Sequence, residues 1–165
     1  MMDRENPPVR LRPLLPADKV ALAGWPPYPD AFADLDYALR PGGWLDEFHG
    51  RPQTWLYAAE QGGGLVAFSI LATTAPGEAE FRIALHPKQS GHGLGALVAA
   101  LTLDEAYARL GLRRLHLIVR QNNPRAIRLY QRLGFAQRGE CRQMINGRAV
   151  DFFRMDLPGG HWRSQ

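Results

Sequence analysis

Residues 89–96, which read Gln-Ser-Gly-His-Gly-Leu-Gly-Ala, are the stretch from which the fold of this chain is inferred. Three of them, Gly91, Gly93 and Gly95, lack a Cβ atom, so the backbone can bend there and approach a ligand closely. The first N–H groups of a helix that follows such a turn have no partner within the helix and attract an anion. The stretch is therefore predicted to cradle a phosphate group.

The residues on either side predict a strand before the glycines and a helix after them. Residues 78–85 alternate between apolar and polar side chains, which is the period of a strand, and His86-Pro87 ends it. After the turn, apolar residues recur at helical spacing from Leu94 until Gly111, which is expected to end the helix. The predicted order is strand, glycine turn, helix.

Two other classes of phosphate-binding protein fit this pattern less well. Gly91, Gly93 and Ala96 also match the dinucleotide fingerprint Gly-x-Gly-x-x-Gly/Ala, in which an acidic residue about 20 positions further on holds the ribose. Residues 112–120 and the loop after them contain no Asp or Glu. No Gly-Lys-Ser/Thr motif is present either, so the sequence argues against a nicotinamide or flavin enzyme and against a nucleoside triphosphatase.

The length of 165 residues suits one α/β domain with a hydrophobic core. We expect an N-terminal tail over residues 1–8, the domain over residues 9–158 and a C-terminal tail over residues 159–165. The longest apolar runs are shorter than a membrane span, which favours a cytoplasmic protein without a membrane partner. Cys141 is the only cysteine and the five histidines lack ligand spacing, so neither an internal disulfide nor a metal site is predicted.

Charge is distributed unevenly along the chain. Residues 18–80 contain nine acidic and three basic residues, whereas residues 81–165 contain fourteen basic and five acidic ones. A basic half around the cradle and an acidic half before it suggest an anionic cofactor and a cationic second substrate, although two solvated faces would give the same count. The pI of 9.6 would also suit a nucleic-acid binder, but the basic residues form no stripe interleaved with aromatic ones, and no nucleic-acid partner is predicted.

The remaining elements follow from the same kinds of pattern. Asp18 is expected to cap a helix, and residues 25–46 contain a short helix to Arg40 and could form the wall of a binding site. Asn123 is expected to cap a later helix with Pro124 at its first position. The predicted strands are residues 9–15, 54–59, 65–73, 78–85, 112–120, 136–145 and 149–157, the last two forming a hairpin about Asn146-Gly147.

Two motifs together resemble the GNAT superfamily of acyl-CoA-dependent N-acetyltransferases. The first is Ile83-Ala84-Leu85 followed by the glycine stretch. The second is residues 119–135, Val-Arg-Gln-Asn-Asn-Pro-Arg-Ala-Ile-Arg-Leu-Tyr-Gln-Arg-Leu-Gly-Phe. The resemblance covers residues 78–157 and extends to the earlier residues only in the order of elements. It implies a single α/β domain with a central, mixed but mostly antiparallel twisted sheet of about six or seven strands, flanked by about four helices.

The same resemblance implies acetyl-CoA as cosubstrate and no metal. Ile83, Ala84 and Leu85 are expected to pair with the pantetheine arm, and Asn123 matches the CoA-contacting Asn of the family. The cradle is expected to bind the pyrophosphate through the backbone of Gly91, His92, Gly93, Leu94, Gly95 and Ala96. Ser90 stands where the family usually has Arg or Gln, a departure that affects one side-chain contact but leaves the backbone cradle.

Tyr130 matches the general acid of the family in the pattern Leu-Tyr-x-x-x-Gly-Phe. The attacking amine must arrive neutral although its usual pKa is about 10.4, and the leaving CoA thiolate is best protonated as it departs. A phenol with a pKa of about 10 can supply that proton when it lies beside the sulfur. Tyr130 is therefore predicted to contact CoA and to act as the catalytic acid, with an ordinary core aromatic as the alternative.

The general base is left open between two residues. Protein N-terminal acetyltransferases of the family often carry a Glu on the strand after the long helix, where this chain has Ile118, and this departure argues against that branch. Glu80, on the preceding strand, is the first candidate for the catalytic base and would act through water. His116, on the same strand face as Ile118, is the second. A salt-bridged Glu80 and a packed His116 are the structural alternatives.

These residues predict direct transfer of an acetyl group from acetyl-CoA to a primary amine in a ternary complex, with Cys141 outside the matched site. Residues 79–83, 115–119 and 145–148 resemble the spermidine acetyltransferase branch and its ribosomal-protein relatives. A polyamine or another small cationic amine is therefore the first acceptor considered, and a protein or peptide amine is the second. A non-catalytic acyl-CoA-binding sensor is the alternative of a different class. The edge of the C-terminal hairpin is a candidate surface for a homodimer.

Overall fold

The structure, a computed structural model, describes residues 7–89 and 93–162. The strands are β1 (Val9–Pro13), β2 (Thr54–Gln61), β3 (Gly64–Ala75), β4 (Glu78–Leu85), β5 (Arg114–Arg120), β6 (Ala136–Ile145) and β7 (Arg148–Pro158). They form one seven-stranded sheet with the order β1-β2-β3-β4-β5-β7-β6. The α-helices are α1 (Pro16–Ala23), α2 (Trp44–Glu47), α3 (Leu94–Asp104) and α4 (Pro124–Leu133). The predicted fold class is confirmed.

The sheet contains one parallel pair of strands, and the two strands of this pair move apart after a short paired stretch. All neighbouring strands are antiparallel except β4 and β5. Residues 78–80 of β4 pair with residues 114–116 of β5, and the ladder between these two described strands extends no further. Residues 81–85 and 117–120 therefore border a gap in the middle of the sheet. Backbone N–H and C=O groups along such a gap can pair with an extended ligand.

Helices cover both faces of the sheet. α3 and α4 pack on one face, which we call the helix face, over a core that includes Leu71, Phe81 and Leu115. The opposite face, which we call the strap face, is covered by α1, the 3-10 helix Asp30–Leu39 and α2, with Phe68 at its centre. Within the described ranges, no helix combines the length and the apolar character needed to cross a bilayer.

Two tight turns join the hairpins of the sheet. Asn146 and Gly147 have φ angles of 50° and 78°, the positive values that a two-residue hairpin turn requires, and they join β6 to β7 as predicted. Gly62 and Gly63 join β2 to β3 with φ angles of 59° and 81°. β2, β3 and β7 extend one or two residues beyond their predicted ends, and β6 has its predicted bounds. β1 ends at Pro13, two residues earlier than predicted.

Asp18 does not cap α1, contrary to the prediction. The helix begins at Pro16, and Asp18 is its third residue, whose carboxylate accepts the Leu15 N–H at 2.7 Å. The same carboxylate accepts hydrogen bonds from the Arg12 guanidinium at 2.7 and 2.9 Å. Proline at the first helical position was the signal for this start, because it lacks the N–H that a helix leaves unpaired there. The short helix predicted to run to Arg40 is instead the 3-10 helix of the strap face.

α3 begins at Leu94, as predicted from the glycine stretch. After Asp104 it widens into a single π-helical turn, Glu105–Arg109, which completes the predicted long helix. Residues 159–162, assigned from the sequence to a C-terminal tail, return to this helix. The Trp162 indole N–H donates to the Asp104 carboxylate at 3.0 Å, and its ring packs against the core.

Candidate active site

A cavity of about 390 Å³ occupies the gap between β4 and β5. On the helix face it is lined by residues of α3 and α4, among them Gly95, Asn123 and Tyr130. On the strap face its walls include Trp44 and Glu80. Because the lining comes from both layers, the cavity connects the two faces of the sheet. Two molecules that approach from opposite faces can meet inside it.

The open edge of β4 presents backbone groups to this cavity. The His86 N–H donates to the Val66 carbonyl on β3 at 2.8 Å, so the backbone groups of Leu85, one residue earlier, point to the opposite edge. There the Leu85 carbonyl accepts a hydrogen bond of 2.7 Å from the Tyr28 hydroxyl. By the same alternation the backbone groups of Ile83 point into the gap. Burial raises the pKa of Tyr28, which keeps its hydroxyl protonated as a donor.

All three residues of the predicted pantetheine strand, Ile83, Ala84 and Leu85, line the cavity. They do so in different ways, because the Ala84 side chain packs into the core of the strap face while Ile83 packs against the core of the helix face. Alternate residues of a strand turn their backbone groups to the same edge. Backbone pairing with a ligand would therefore use Ile83 and Leu85, whereas Ala84 would only form part of the cavity wall.

The start of α3 carries the described part of the predicted cradle. Gly93 precedes the helix with a φ angle of 74°, a conformation that favours glycine. A Cβ atom on Gly95 would lie 3.4 Å from side-chain carbons of both Leu129 and Leu85, so this glycine allows α3 to pack closely on α4 and β4. Gly93, Leu94, Gly95 and Ala96 form the helix start, whereas Ser90, Gly91 and His92 lie outside the described residues.

Asn123 caps α4 as predicted. Its side-chain oxygen accepts the Ala126 N–H at 3.2 Å, and Pro124 occupies the first helical position. The cap fixes the side chain at the cavity wall, with the amide NH₂ group as its remaining donor. Contact between this donor and CoA stays a prediction.

Tyr130 lies on the inner side of α4, with only 9% of its surface exposed, and borders the cavity. Its ring makes edge-on contacts with Phe81, at 6.3 Å between centroids, and with Phe135, at 5.9 Å. Burial raises the pKa of the phenol, so the hydroxyl keeps its proton at neutral pH. Tyr130 is therefore part of the core and also borders the cavity, while its role as the catalytic acid stays a prediction.

Glu80 belongs to a cluster of three charged residues on the strap face. Arg82, two residues along β4, donates from Nε to Glu80 Oε1 at 2.9 Å. Its two Nη atoms donate to both carboxylate oxygens of Glu47 on α2, at 2.7 and 3.3 Å. Burial opposes the charge of Arg82, but the two carboxylates outweigh it and raise its pKa. We call Glu47, Arg82 and Glu80 the charge cluster.

His116 does not reach the cavity, although the sequence made it a candidate base. Its Nε2 atom makes a 2.7 Å hydrogen bond with the Thr74 hydroxyl, at the end of the sheet where β4 and β5 are still paired. Ile118, on the same strand face, does line the cavity. Cys141 lies on β6, paired with Phe152 of β7, and is not among the residues that line the cavity. In the described ranges, no group of three or more His, Cys, Asp or Glu side chains is placed to hold a metal ion.

Among the cavity residues that the sequence reasoning did not single out are Tyr28, Glu47 and Arg82. Arg82 carried a usable signal, because it follows Glu80 by two residues and a strand places such residues on the same face. Tyr28 lies in the segment predicted to wall a site and Glu47 lies one residue beyond it, but nothing in their sequence spacing specifies contact with β4.

The acidic excess of residues 18–80 does not form an open acidic surface. Most of these carboxylates are engaged by basic side chains. The pairs are Asp18 and Glu60 with Arg12, Asp36 with Arg40, Asp46 with Lys19, Glu47 and Glu80 with Arg82, and Glu78 with Arg114. The charge division seen in the sequence is therefore largely satisfied within the fold, including pairs that join the two halves.

A second cavity, of about 850 Å³, adjoins the first on the strap face. It lies between residues 40–43 and the β6–β7 turn, and the two cavities share Tyr37, Arg120 and Ile145. The Arg120 guanidinium lies over the rings of Tyr37 and Phe152, 5.8 Å from each centroid. The strap face thus has room for a molecule longer than the first cavity holds.

Known proteins share sequence with this chain. The Acetyltransferase (GNAT) family matches residues 18–135. Spermidine N(1)-acetyltransferase from Escherichia coli K12 is 39% identical over 79 residues, which are 47% of this chain and 42% of that protein. The chain therefore matches less than half of the length of this relative.

Solved structures share the fold. A chimera of the spermidine N-acetyltransferase SpeG from Vibrio cholerae and hSSAT has a TM-score of 0.77 at 23% identity, covering 92% of this chain and 96% of that one. The Vibrio cholerae enzyme in complex with CoA and spermine has a TM-score of 0.70 at 23% identity, covering 93% and 96%. At this level of identity the likeness concerns the fold.

Proposed function

The chain belongs to the Acetyltransferase (GNAT) family, and from that premise we propose that it transfers an acetyl group from acetyl-CoA to a primary amine. The observation that carries the proposal is the cavity in the gap between β4 and β5, lined from both faces of the sheet. A donor on the helix face and an acceptor on the strap face would meet there. The amine then attacks directly in a ternary complex, without a covalent acetyl-enzyme on Cys141.

The helix face has the groups that a CoA ester requires. The first N–H groups of α3 after Gly93 would hold the pyrophosphate, because they have no partner within the helix. The backbone of Ile83 would pair with the amides of the pantetheine arm, and the Asn123 amide would contact the same arm. When bound, acetyl-CoA supplies the acetyl group as a reactive thioester. The bound tail explains why this edge of β4 is left open by the fold.

Tyr130 acts as the general acid in this proposal. Its hydroxyl stays protonated because burial raises its pKa, and it borders the cavity from the side of α4. It donates a proton to the sulfur as the bond between sulfur and the acetyl carbon breaks. Its ring contacts with Phe81 and Phe135 restrict the phenol to one orientation.

Glu80 accepts the proton that the ammonium must lose before it attacks. Only one of its oxygens, Oε1, is hydrogen-bonded to Arg82, and Oε2 makes no hydrogen bond with the residues that the structure describes. Glu80 lines the cavity, whereas His116 is bonded to Thr74 outside it. Transfer runs from the amine to Glu80 Oε2 directly or through one water.

The acceptor is proposed to be a small cationic amine, with spermidine the first to test. The proposal is supported by the name of the Escherichia coli relative and by the Glu80 carboxylate in the cavity wall, which keeps one oxygen without a described partner. A protein or peptide amine is the second acceptor class, because the adjoining cavity gives a longer molecule room to leave the site.

The direct test is release of CoA thiol from acetyl-CoA in the presence of spermidine, single amino acids, an aminoglycoside and short peptides with free N-termini. We expect release with small multiply or singly charged amines. Release only with peptides would retain the enzyme and reject the small acceptor. Acetyl-CoA binding without release for any amine would reject catalysis in favour of a sensor that binds acyl-CoA.

A further inference from the structure

In the charge cluster on the strap face, two carboxylates share one guanidinium group. Arg82 occupies both oxygens of Glu47, at 2.7 and 3.3 Å, and one oxygen of Glu80, at 2.9 Å. All three residues line the cavity between β4 and β5. The cluster carries one net negative charge, and the carboxylate oxygen left without a described partner is Glu80 Oε2.

Packing holds the Arg82 guanidinium in this arrangement. Its central carbon lies 4.6 Å from the ring centroid of Phe48 and 5.2 Å from that of Trp44, both distances within the range of cation–π contact. The side chain is only 18% exposed, compared with 38% for Glu47. An ammonium group that entered the cavity would therefore find Glu47 already neutralised by a cation that is fixed in place.

We propose that Arg82 selects the acceptor by charge: by neutralising Glu47, it leaves the cavity wall one carboxylate for the reacting amine and none for a second ammonium nearby. The proposal rests on the proposed amine acetyltransferase activity and refines its acceptor class. Arg82 is a specificity-determining residue that limits the advantage of multiply charged amines over singly charged ones.

The two acceptors that test this role have the same length and shape. Diaminobutane and pentylamine differ only in whether the far end of the chain is an ammonium or a methyl group. The quantity to measure is the ratio of kcat/KM for diaminobutane to kcat/KM for pentylamine. A purely structural role for Arg82, holding α2 against β4, would change both values together and leave this ratio constant.

Arg82→Gln removes the positive charge and exposes the Glu47 carboxylate to the far ammonium. We expect the ratio to rise by about tenfold, the size of effect that one charge-assisted hydrogen bond produces. Arg82→Lys is the matched control, because it keeps the charge while losing the bidentate geometry, and its ratio should stay near that of the wild type. An unchanged ratio in Arg82→Gln overturns the proposal.

Glu47→Gln provides a second test that does not disturb β4, in case Arg82→Gln fails to fold. This variant leaves Arg82 balanced only by Glu80, so the far ammonium is repelled and the ratio should fall several-fold. A ratio that rises or stays constant contradicts the role given to Arg82. If the wild-type protein acetylates no amine, both the proposed function and this role are overturned. If it acetylates amines but the ratio of the two kcat/KM values is the same in every variant, only the role of Arg82 is overturned.

Discussion

Tyr130 is a buried residue that also lines the cavity. Replacing it with Phe keeps the contacts with Phe81 and Phe135 and removes only the proton donor. We expect kcat of Tyr130→Phe to fall by roughly a hundredfold, the usual contribution of a general acid, with little change in KM for acetyl-CoA. Steady-state kinetics with the best acceptor would measure this, and near-normal turnover would contradict the assignment.

Tyr107 offers a matched control for that substitution. Its hydroxyl donates to the Leu157 carbonyl at 2.5 Å, and Tyr107 is not among the residues that line the cavity, so Tyr107→Phe removes a phenol hydroxyl outside the proposed site. We expect this variant to lose about 1 kcal/mol of unfolding free energy, the usual contribution of one hydrogen bond, and to keep its kcat.

Glu80 and His116 are paired residues of β4 and β5, but their environments differ, because only Glu80 lines the cavity. We expect Glu80→Gln to lower kcat/KM at pH 7 by about tenfold to a hundredfold, because the proton acceptor is lost while the shape is kept. His116→Gln should remain within about threefold of the wild type, since a hydrogen bond to Thr74 does not touch the substrate. The opposite ranking of the two variants would identify His116 as the base.

The roles of single residues could be predicted from the sequence where they depend on a local pattern. Asn123 could be assigned because an Asn before a Pro and a helical stripe is a capping signal, and the structure has the cap. The contact of Tyr28 with Leu85 spans 57 positions, and that of Glu47 with Arg82 spans 35. Such contacts depend on how distant elements pack, for which the local pattern carries no information.

The elements themselves were predictable where turn chemistry and periodicity agree. Asn146-Gly147 favours a two-residue hairpin turn with positive φ angles, and this turn predicts the strands on either side of it. The segment before α2 was harder, since proline and aromatic residues support a 3-10 helix as well as an α-helix. The start of α1 was misplaced by three positions because Asp18 is favourable both as a cap and inside the first turn.

Gly93 at the start of α3 links the conformation of this element to donor binding. Gly93→Ala must hold a residue with a Cβ atom at a φ angle of 74°, which costs about 1–2 kcal/mol or shifts the turn. We expect the Kd for acetyl-CoA to rise by about fivefold or more as the N–H groups of the first turn move. Isothermal titration with acetyl-CoA would measure the change.

Gly111 supplies the control for that variant. Its φ angle is 67°, and a Cβ atom at either glycine would meet no atom of the described residues within 4 Å, so Gly111→Ala introduces the same kind of strain at the opposite end of the helix. Both variants should lose similar thermal stability, but only Gly93→Ala should bind acetyl-CoA more weakly. Equal affinities in the two variants would remove the start of α3 from the donor site.

The ion pair between Arg12 and Asp18 joins β1 to α1 and gives stability a pH dependence. Hydrogen bonds from Arg12 lower the pKa of Asp18 below its usual value of about 3.9, so the ionised form stabilises the fold above that pH. This contribution is lost as the pH falls through the lowered pKa. Asp18→Asn should therefore be less stable than the wild type at pH 7, with a difference that shrinks below about pH 4.

Urea unfolding at pH 7 and at pH 3 would measure this difference. Asp151→Asn is a suitable control, because the Asp151–Arg142 pair has a similar distance of 2.9 Å but lies on the surface, with side chains 54% and 69% exposed. Exposed pairs contribute little, so the control should unfold like the wild type at both pH values. An equal loss in both variants would assign no special role to the Arg12–Asp18 pair.

The whole molecule is arranged about the gap between β4 and β5. The helix face brings the start of α3 and Tyr130 to the gap, and the strap face brings the charge cluster. In the proposed function the donor binds from the helix face and the acceptor from the strap face. The residues proposed for the donor lie in continuous motifs, so the sequence could indicate them, whereas the residues proposed for the acceptor come from separate segments.

The most direct test of this arrangement is an initial-rate measurement in which acetyl-CoA and the best amine acceptor are both varied. A gap that holds donor and acceptor together predicts double-reciprocal plots whose lines intersect, and no acetylation of the protein when acetyl-CoA is supplied without amine. Parallel lines, together with an acetyl group found on Cys141 by mass spectrometry, would show transfer through a covalent enzyme intermediate and would contradict the account.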